Sequence, residues 1–232
     1  MKQNRKFLIL GITGGAGSGK TTVVEQIEKV VPIVFLHCDA IAHELMEPGG
    51  ASYEALVREF GDGILENSDE VLKVVDSDST EQSALRRISR PKLSKIAMAT
   101  KESRARLNEL THPLVQQAVE AKLKSLEEEE FCGVAVIEAA LLIEAGYKSI
   151  CDSLWYVQAP LSHRIRRMKE KRGYSDEKIA NILAGQLSEA EFKANADVII
   201  ENPDGDKAEI LAGLQKQIRI LLKDFVESAD KM

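Results

Sequence analysis

The stretch Phe7-Leu8-Ile9-Leu10-Gly11-Ile12-Thr13 runs directly into Gly14-Gly15-Ala16-Gly17-Ser18-Gly19-Lys20-Thr21-Thr22. Phe7 to Ile12 has the length and aliphatic content of a strand buried on both faces. Gly14 to Thr21 fits the spacing G-x-x-x-x-G-K-[ST], and the spacing predicts a helix beginning near Lys20. Glycine-rich backbone between a strand and a helix lets successive amides point inward at phosphate oxygens, and the positive end of the helix adds to their pull. The amides of Gly15, Ala16, Gly17, Ser18 and Gly19 are therefore expected to cradle a polyphosphate. Lys20 should reach its β- and γ-phosphates, the Thr21 hydroxyl should ligate Mg²⁺, and Thr22 should lie near the α-phosphate. Binding of ATP or GTP is the strongest inference from this stretch.

Four further apolar runs, Ile33 to His37, Gly133 to Ile137, Ser153 to Val157 and Val198 to Ile200, alternate with segments of helical period. That alternation predicts an α/β architecture, a P-loop NTPase fold with a five-stranded, mainly parallel sheet flanked by helices. The expected core comprises residues 1–41, 131–160 and 196–232. Residues 42–130 are expected to form a helical acceptor-binding arm, with helices at Glu54 to Phe60, Arg90 to Ala99 and Lys101 to Leu110. Residues 161–195, rich in Arg and Lys, read as a helical hairpin inserted between two core strands and so as a lid. Ser68 to Glu81 is polar and acidic and reads as an exposed loop; Glu127 to Glu130 reads as a solvated helix end.

Ligands of such sheets sit beyond the carboxyl ends of the strands, which directs attention to Asp39, Glu138 to Glu144, Gln158 and Asn202. Asp39 follows the second run, where a carboxylate can accept the proton of an attacking hydroxyl or, alternatively, cap the next helix. Glu138 could serve Mg²⁺ through a water or be a surface carboxylate at a strand end. Arg164, Arg166, Arg167 and Arg172 could stabilise a transferring phosphoryl group or simply solvate the lid; by helical spacing Arg164 and Arg167 share a face and Arg166 does not. Neither an N-K-x-D nor a D-x-x-G motif accompanies the loop, so a GTPase is disfavoured. Kinases of different acceptors and an ATP-driven switch remain as readings.

A formal charge of −6 over 232 residues argues against a protein whose main partner is duplex nucleic acid. The three cysteines, Cys38, Cys132 and Cys151, are too widely spaced to suggest a zinc site or a disulfide framework. No apolar stretch approaches the roughly 20 residues that span a bilayer. A cytoplasmic protein with no membrane association is expected.

The sequence resembles the dephospho-CoA kinase family along Phe7 to about Asn202. Leu10-Gly11-Ile12-Thr13 leads into the loop, and Cys38-Asp39-Ala40-Ile41-Ala42 stands where the family has its strand-end Asp. Arg90 with Leu93, Leu107 to Val115 with the pair His112-Pro113, and Leu141-Leu142-Ile143-Glu144-Ala145-Gly146 follow in order. Arg167, Lys171 and Gln186 match the lid, and Ala196-Asp197 to Asn202 the closing segment. The resemblance implies phosphorylation of the ribose 3′-hydroxyl of dephospho-CoA by ATP with Mg²⁺, in a monomer or weak homo-oligomer. It further implies that Asp39 activates the hydroxyl while Lys20 and Arg167 stabilise the phosphoryl group. Asn202 would belong to the nucleotide side; Arg90, His112, Leu141 and Glu144 would join Asp39 on the acceptor side. His112, ahead of a proline, could equally be a cap at a helix start. Ser89, Ala140 and Lys171 depart from the family pattern, and Lys171 lacks the bidentate fork of an Arg.

Overall fold

The computed structural model describes residues 5–66, 86–139, 142–202 and 207–223. The expected loop Ser68 to Glu81, and Ala140 and Leu141, lie outside the described residues. The chain divides into two compact units, one of residues 1–37 and 122–232, the other of residues 38–121.

The first unit is built on five strands: β1 (Phe7–Thr13), β2 (Ile33–His37), β3 (Gly133–Glu138), β4 (Ser153–Gln158) and β5 (Val198–Glu201). All pair in parallel in the order β2-β3-β1-β4-β5. The central position of β1 explains its nearly complete burial, and β3 beside it is buried throughout. Helix α1 (Lys20–Glu28) turns Val23, Val24 and Ile27 onto the sheet, where they join Leu10, Ile12, Val134, Val136, Trp155 and Val157. Leu214 and Ile218 of the C-terminal helix, Lys207–Leu221, close the same cluster. Burying each such aliphatic side chain stabilises the fold by about 1.5–3 kcal/mol.

Two aspartates set where strands begin. Asp152 accepts from the Ile9 amide at 2.8 Å and binds the Arg5 guanidinium through both oxygens, while Asp197 accepts from the Leu154 amide at 2.7 Å.

Between β4 and β5 lie three helices, Leu161–Arg172, Asp176–Ala184 and Glu189–Asn195, rather than the expected hairpin. Gly173, with φ of 61°, stops the first. Ser175 caps the second by accepting from the Lys178 amide, and Ser188 and Glu191 form a reciprocal capping box on the third.

The second unit contains α2 (Cys38–Leu45), α3 (Tyr53–Phe60), α4 (Arg90–Ala97) and the first part of α5 (Lys101–Glu128). The remaining helices, in chain order, are α6 (Leu161–Arg172), α7 (Asp176–Ala184), α8 (Glu189–Asn195) and α9 (Lys207–Leu221). The second unit's core gathers Tyr53, Leu56, Ile64, Leu93, Ala97 and Leu107. Lys92 Nζ, bonded to the Leu65 carbonyl, and Tyr53 Oη, bonded to the Arg86 carbonyl, tie its loops down.

Helix α5 does not stop near Leu110 as expected; it continues through Pro113 to Glu128. A proline inside a helix removes the amide owed to the carbonyl four residues back and costs about 3 kcal/mol. Against that, buried positions recur at Leu107, Thr111, Val115, Val119, Leu123 and Leu126, a stripe whose burial outweighs the lost bond. Glu127 to Glu130 are exposed at its end, as expected.

Candidate active site

The phosphate-type loop runs from the end of β1 to the start of α1. Gly17 and Gly19 have φ of 78° and 95°, a region other residues enter only with strain. Gly19 occupies the N-cap position of α1 with no side-chain cap, and the first turn carries no acidic residue. First-turn amides have no partner within their own helix, so this positive end is left for an anion from elsewhere. Ser18 is buried, its amide bonded to the Gly15 carbonyl, and its hydroxyl has no hydrogen-bond partner among the described residues.

Lys20 donates to the Gly14 carbonyl at 3.0 Å, and its ammonium lies 3.6 Å from Glu138 Oε1. Glu138 ends β3 in register with Ile12 on one side and His37 on the other. It is buried, not the surface carboxylate that was one reading of its strand-end position. Thr21 is exposed and Thr22 half-buried on the first turn of α1.

Helix α6 backs the loop. When loop amides face a phosphate, loop carbonyls face away, and those carbonyls are what the arginines hold. Arg167 donates to the carbonyls of Gly17, Ser18 and Asn202, each at 3.1 Å. Arg164 donates to the Ala16 carbonyl at 3.0 Å and to Gln186 Oε1 at 2.8 Å, and the same Gln186 oxygen accepts from the Ala16 amide. Burial lowers the pKa of the Arg164 guanidinium from its ordinary value. Arg164 and Arg167 thus share a face, as their spacing predicts, whereas Arg166, Lys171 and Arg172 are exposed. Asn202, buried just past β5, donates from Nδ2 to the Ser18 carbonyl.

The loop-carbonyl contacts of Arg164 and Arg167 are not visible in the sequence, and neither is the contact of His37, whose Nε2 lies 3.3 Å from Glu138 Oε2. The signal for His37 was its place at the C-terminal end of a parallel strand, the edge where ligands gather.

In the second unit, Asp39 is the second residue of α2 and exposed, inside the first turn and not in the cap position preceding it. Arg90 opens α4 and is exposed. His112 lies in the middle of α5, half-buried, so it is not a cap at a helix start; burial lowers its pKa below the usual imidazole value. In the first unit Glu144 is exposed in the turn after Leu142.

A family model described as CoaE, dephospho-CoA kinase, matches residues 8–208. The chain belongs to the dephospho-CoA kinase family. A dephospho-CoA kinase of Carboxydothermus hydrogenoformans is 32% identical over 212 residues, covering 90% of this chain and 93% of that one. One of Geobacter sulfurreducens is 33% identical over 194 residues, covering 84% and 89%. The crystal structure of TT1252 from Thermus thermophilus superposes with a TM-score of 0.70 at 26% identity, covering 94% of this chain and 99% of that one. As in dephospho-CoA kinases generally, the fold is that of a P-loop kinase and the phosphoryl donor is ATP. Among the described residues no helix is long and apolar enough to cross a membrane.

Proposed function

We propose that this kinase transfers the γ-phosphoryl group of ATP to the ribose 3′-hydroxyl of dephospho-CoA, releasing ADP and coenzyme A. The observation that carries the reading is the uncapped, acid-free first turn of α1 with Lys20 at its start, in a chain of this family. Gly15, Ala16, Gly17, Ser18, Gly19, Lys20, Thr21 and Thr22 surround the polyphosphate, and Asn202 holds that loop in shape from behind. The hydroxyl of the acceptor gives its proton to Asp39 as its oxygen attacks the γ-phosphorus in line with the departing ADP oxygen. Lys20 offsets the charge that gathers on the phosphoryl oxygens, and Arg167 supports it from the lid side through the loop it grips.

The Thr21 hydroxyl would hold Mg²⁺, which would neutralise part of the polyphosphate charge. The donor chemistry at the loop fits this ion, which takes oxygen ligands. The exposed Thr21 hydroxyl offers a single oxygen on the first turn of α1. An ion that keeps most of its waters and takes phosphate oxygens needs little more from the protein.

The acceptor side comprises Asp39, Arg90, His112, Leu141 and Glu144, with Leu141 outside the described residues. The kinase works in the cytoplasm as a monomer or weak homo-oligomer, with no nucleic-acid or membrane partner. Purified protein with dephospho-CoA, ATP and Mg²⁺ is expected to yield coenzyme A by mass spectrometry. Turnover of a nucleoside monophosphate with none of dephospho-CoA would overturn the reading.

A further inference from the structure

Glu138 is held from two sides. Its Oε1 lies 3.6 Å from Lys20 Nζ and its Oε2 lies 3.3 Å from His37 Nε2. The second contact follows from strand register: His37 and Glu138 are the last partners of the parallel pair β2 and β3, so their side chains emerge on one face. Phe35, two residues earlier on the same face of β2, meets the imidazole edge-on with ring centroids 5.7 Å apart. That contact restricts how the ring can turn. His37 is the more open partner at 40% side-chain exposure, against 11% for Glu138.

A carboxylate this enclosed is costly unless paired. Lys20 is one partner, yet Lys20 is also the side chain that must follow the phosphoryl group through the reaction. A carboxylate dependent on Lys20 alone would lose its anchor as the ammonium moved, and would in turn let the ammonium wander. We propose that His37 is a positioning residue for phosphoryl transfer: it fixes the Glu138 carboxylate, and the fixed carboxylate sets the place of the Lys20 ammonium in the loop. This rests on the kinase reading above, and nothing in that reading assigns His37 a part.

The test combines kinetics and spectroscopy. With ATP and dephospho-CoA, His37→Ala is expected to lower kcat about tenfold, the lower end for residues that orient another group. The KM for ATP should stay within about twofold, since binding through loop amides is untouched. His37→Gln, whose amide can still donate to Glu138, should recover most of the rate. In a Glu138→Gln background, His37→Ala should cost nothing further, because the two act through one contact. Losses that multiply independently, or an unchanged kcat in His37→Ala, overturn the proposal.

A second measurement does not depend on the acceptor or on any His37 variant's folding. The chain has four histidines, so the ¹⁵N imidazole signals of His37 can be resolved. On addition of ADP they are expected to shift in the wild type and to remain still in Glu138→Gln. An equal shift in both proteins overturns the proposal even if dephospho-CoA proves not to be the acceptor, whereas failure of the wild type to turn over dephospho-CoA strikes only the proposed function.

Discussion

Asn202 and Ser18, separated by 184 residues, are joined by a 2.7 Å hydrogen bond from the Asn202 side-chain amide to the Ser18 carbonyl, with both residues buried. The bond ties the last strand of the sheet to the loop after the first. It gives the loop a fixed back wall, since Arg167 spans the same two residues from α6.

Asn202→Ala removes one of the two donors to the buried Ser18 carbonyl and leaves Arg167 as the other. The net loss of one such hydrogen bond costs about 0.5–1.5 kcal/mol. The midpoint of chemical denaturation is expected to fall accordingly, and calorimetric titration should show weaker ADP binding. Unchanged ADP affinity would mean that the loop keeps its shape without the bond.

Gly19→Ala attacks the same place from the loop side. A Cβ on Gly19 would run into the Asn202 amide nitrogen, and φ of 95° is itself strained for alanine. Strain of this kind costs about 1–3 kcal/mol per residue. Because Gly19 caps α1, the loss should appear in nucleotide affinity as well as in stability, measured by ADP titration and thermal unfolding.

Lys20→Ala and Asp39→Asn separate the two halves of the proposed chemistry. Removing the ammonium should lower kcat by about 10²–10³, the usual cost of losing a main electrostatic stabiliser. Removing the exposed carboxylate should lower it by about 10²–10⁴ without changing the melting temperature, as expected of a general base that packs against little. Near-normal turnover in either variant would remove that residue from the mechanism.

His112 makes a prediction about pH. Burial lowers its pKa from 6.5, so in the pH range between its folded and unfolded values the unfolded chain binds the proton that the folded chain refuses. Its contribution to stability is present above pH 6.5 and is lost as pH falls through the lowered folded value. Denaturation curves of wild type and His112→Gln should therefore converge or cross on acidification below pH 6.5, with the variant losing less. Parallel curves would show that His112 titrates alike in both states.

The fold was legible because sheet strands leave apolar runs, and all five runs became strands, although only β1, β3 and β4 are buried on both faces while the edge strands β2 and β5 are partly exposed. Strand order was not, because β1 pairs with β3 and β4 through contacts that no local pattern encodes. Helix α5 was cut short on sequence because Pro113 is a strong local stop signal, whereas the stripe that carries the helix onward acts only once buried. The phosphate loop was legible since glycine spacing and a flanking Lys and Thr are local chemistry. The grip of Arg164 and Arg167 on its carbonyls depends on which face of α6 meets the loop, as does the hold of Gln186 on the Ala16 amide through Arg164, and the His37 contact depends on strand register; none of these is written in neighbouring residues.

The central place of β1 bears on how the chain is made. Phe7 finds its partner in Gly133, and Leu10 on its other side finds Ser153, so β1 leaves the ribosome well before either neighbour has been made. Such distant pairing slows folding and leaves an unpaired, strongly apolar β segment exposed to other chains. Recovery of active enzyme from denaturant should accordingly worsen with protein concentration, and nascent chains of this kinase should be clients of the chaperones that shield apolar segments during synthesis.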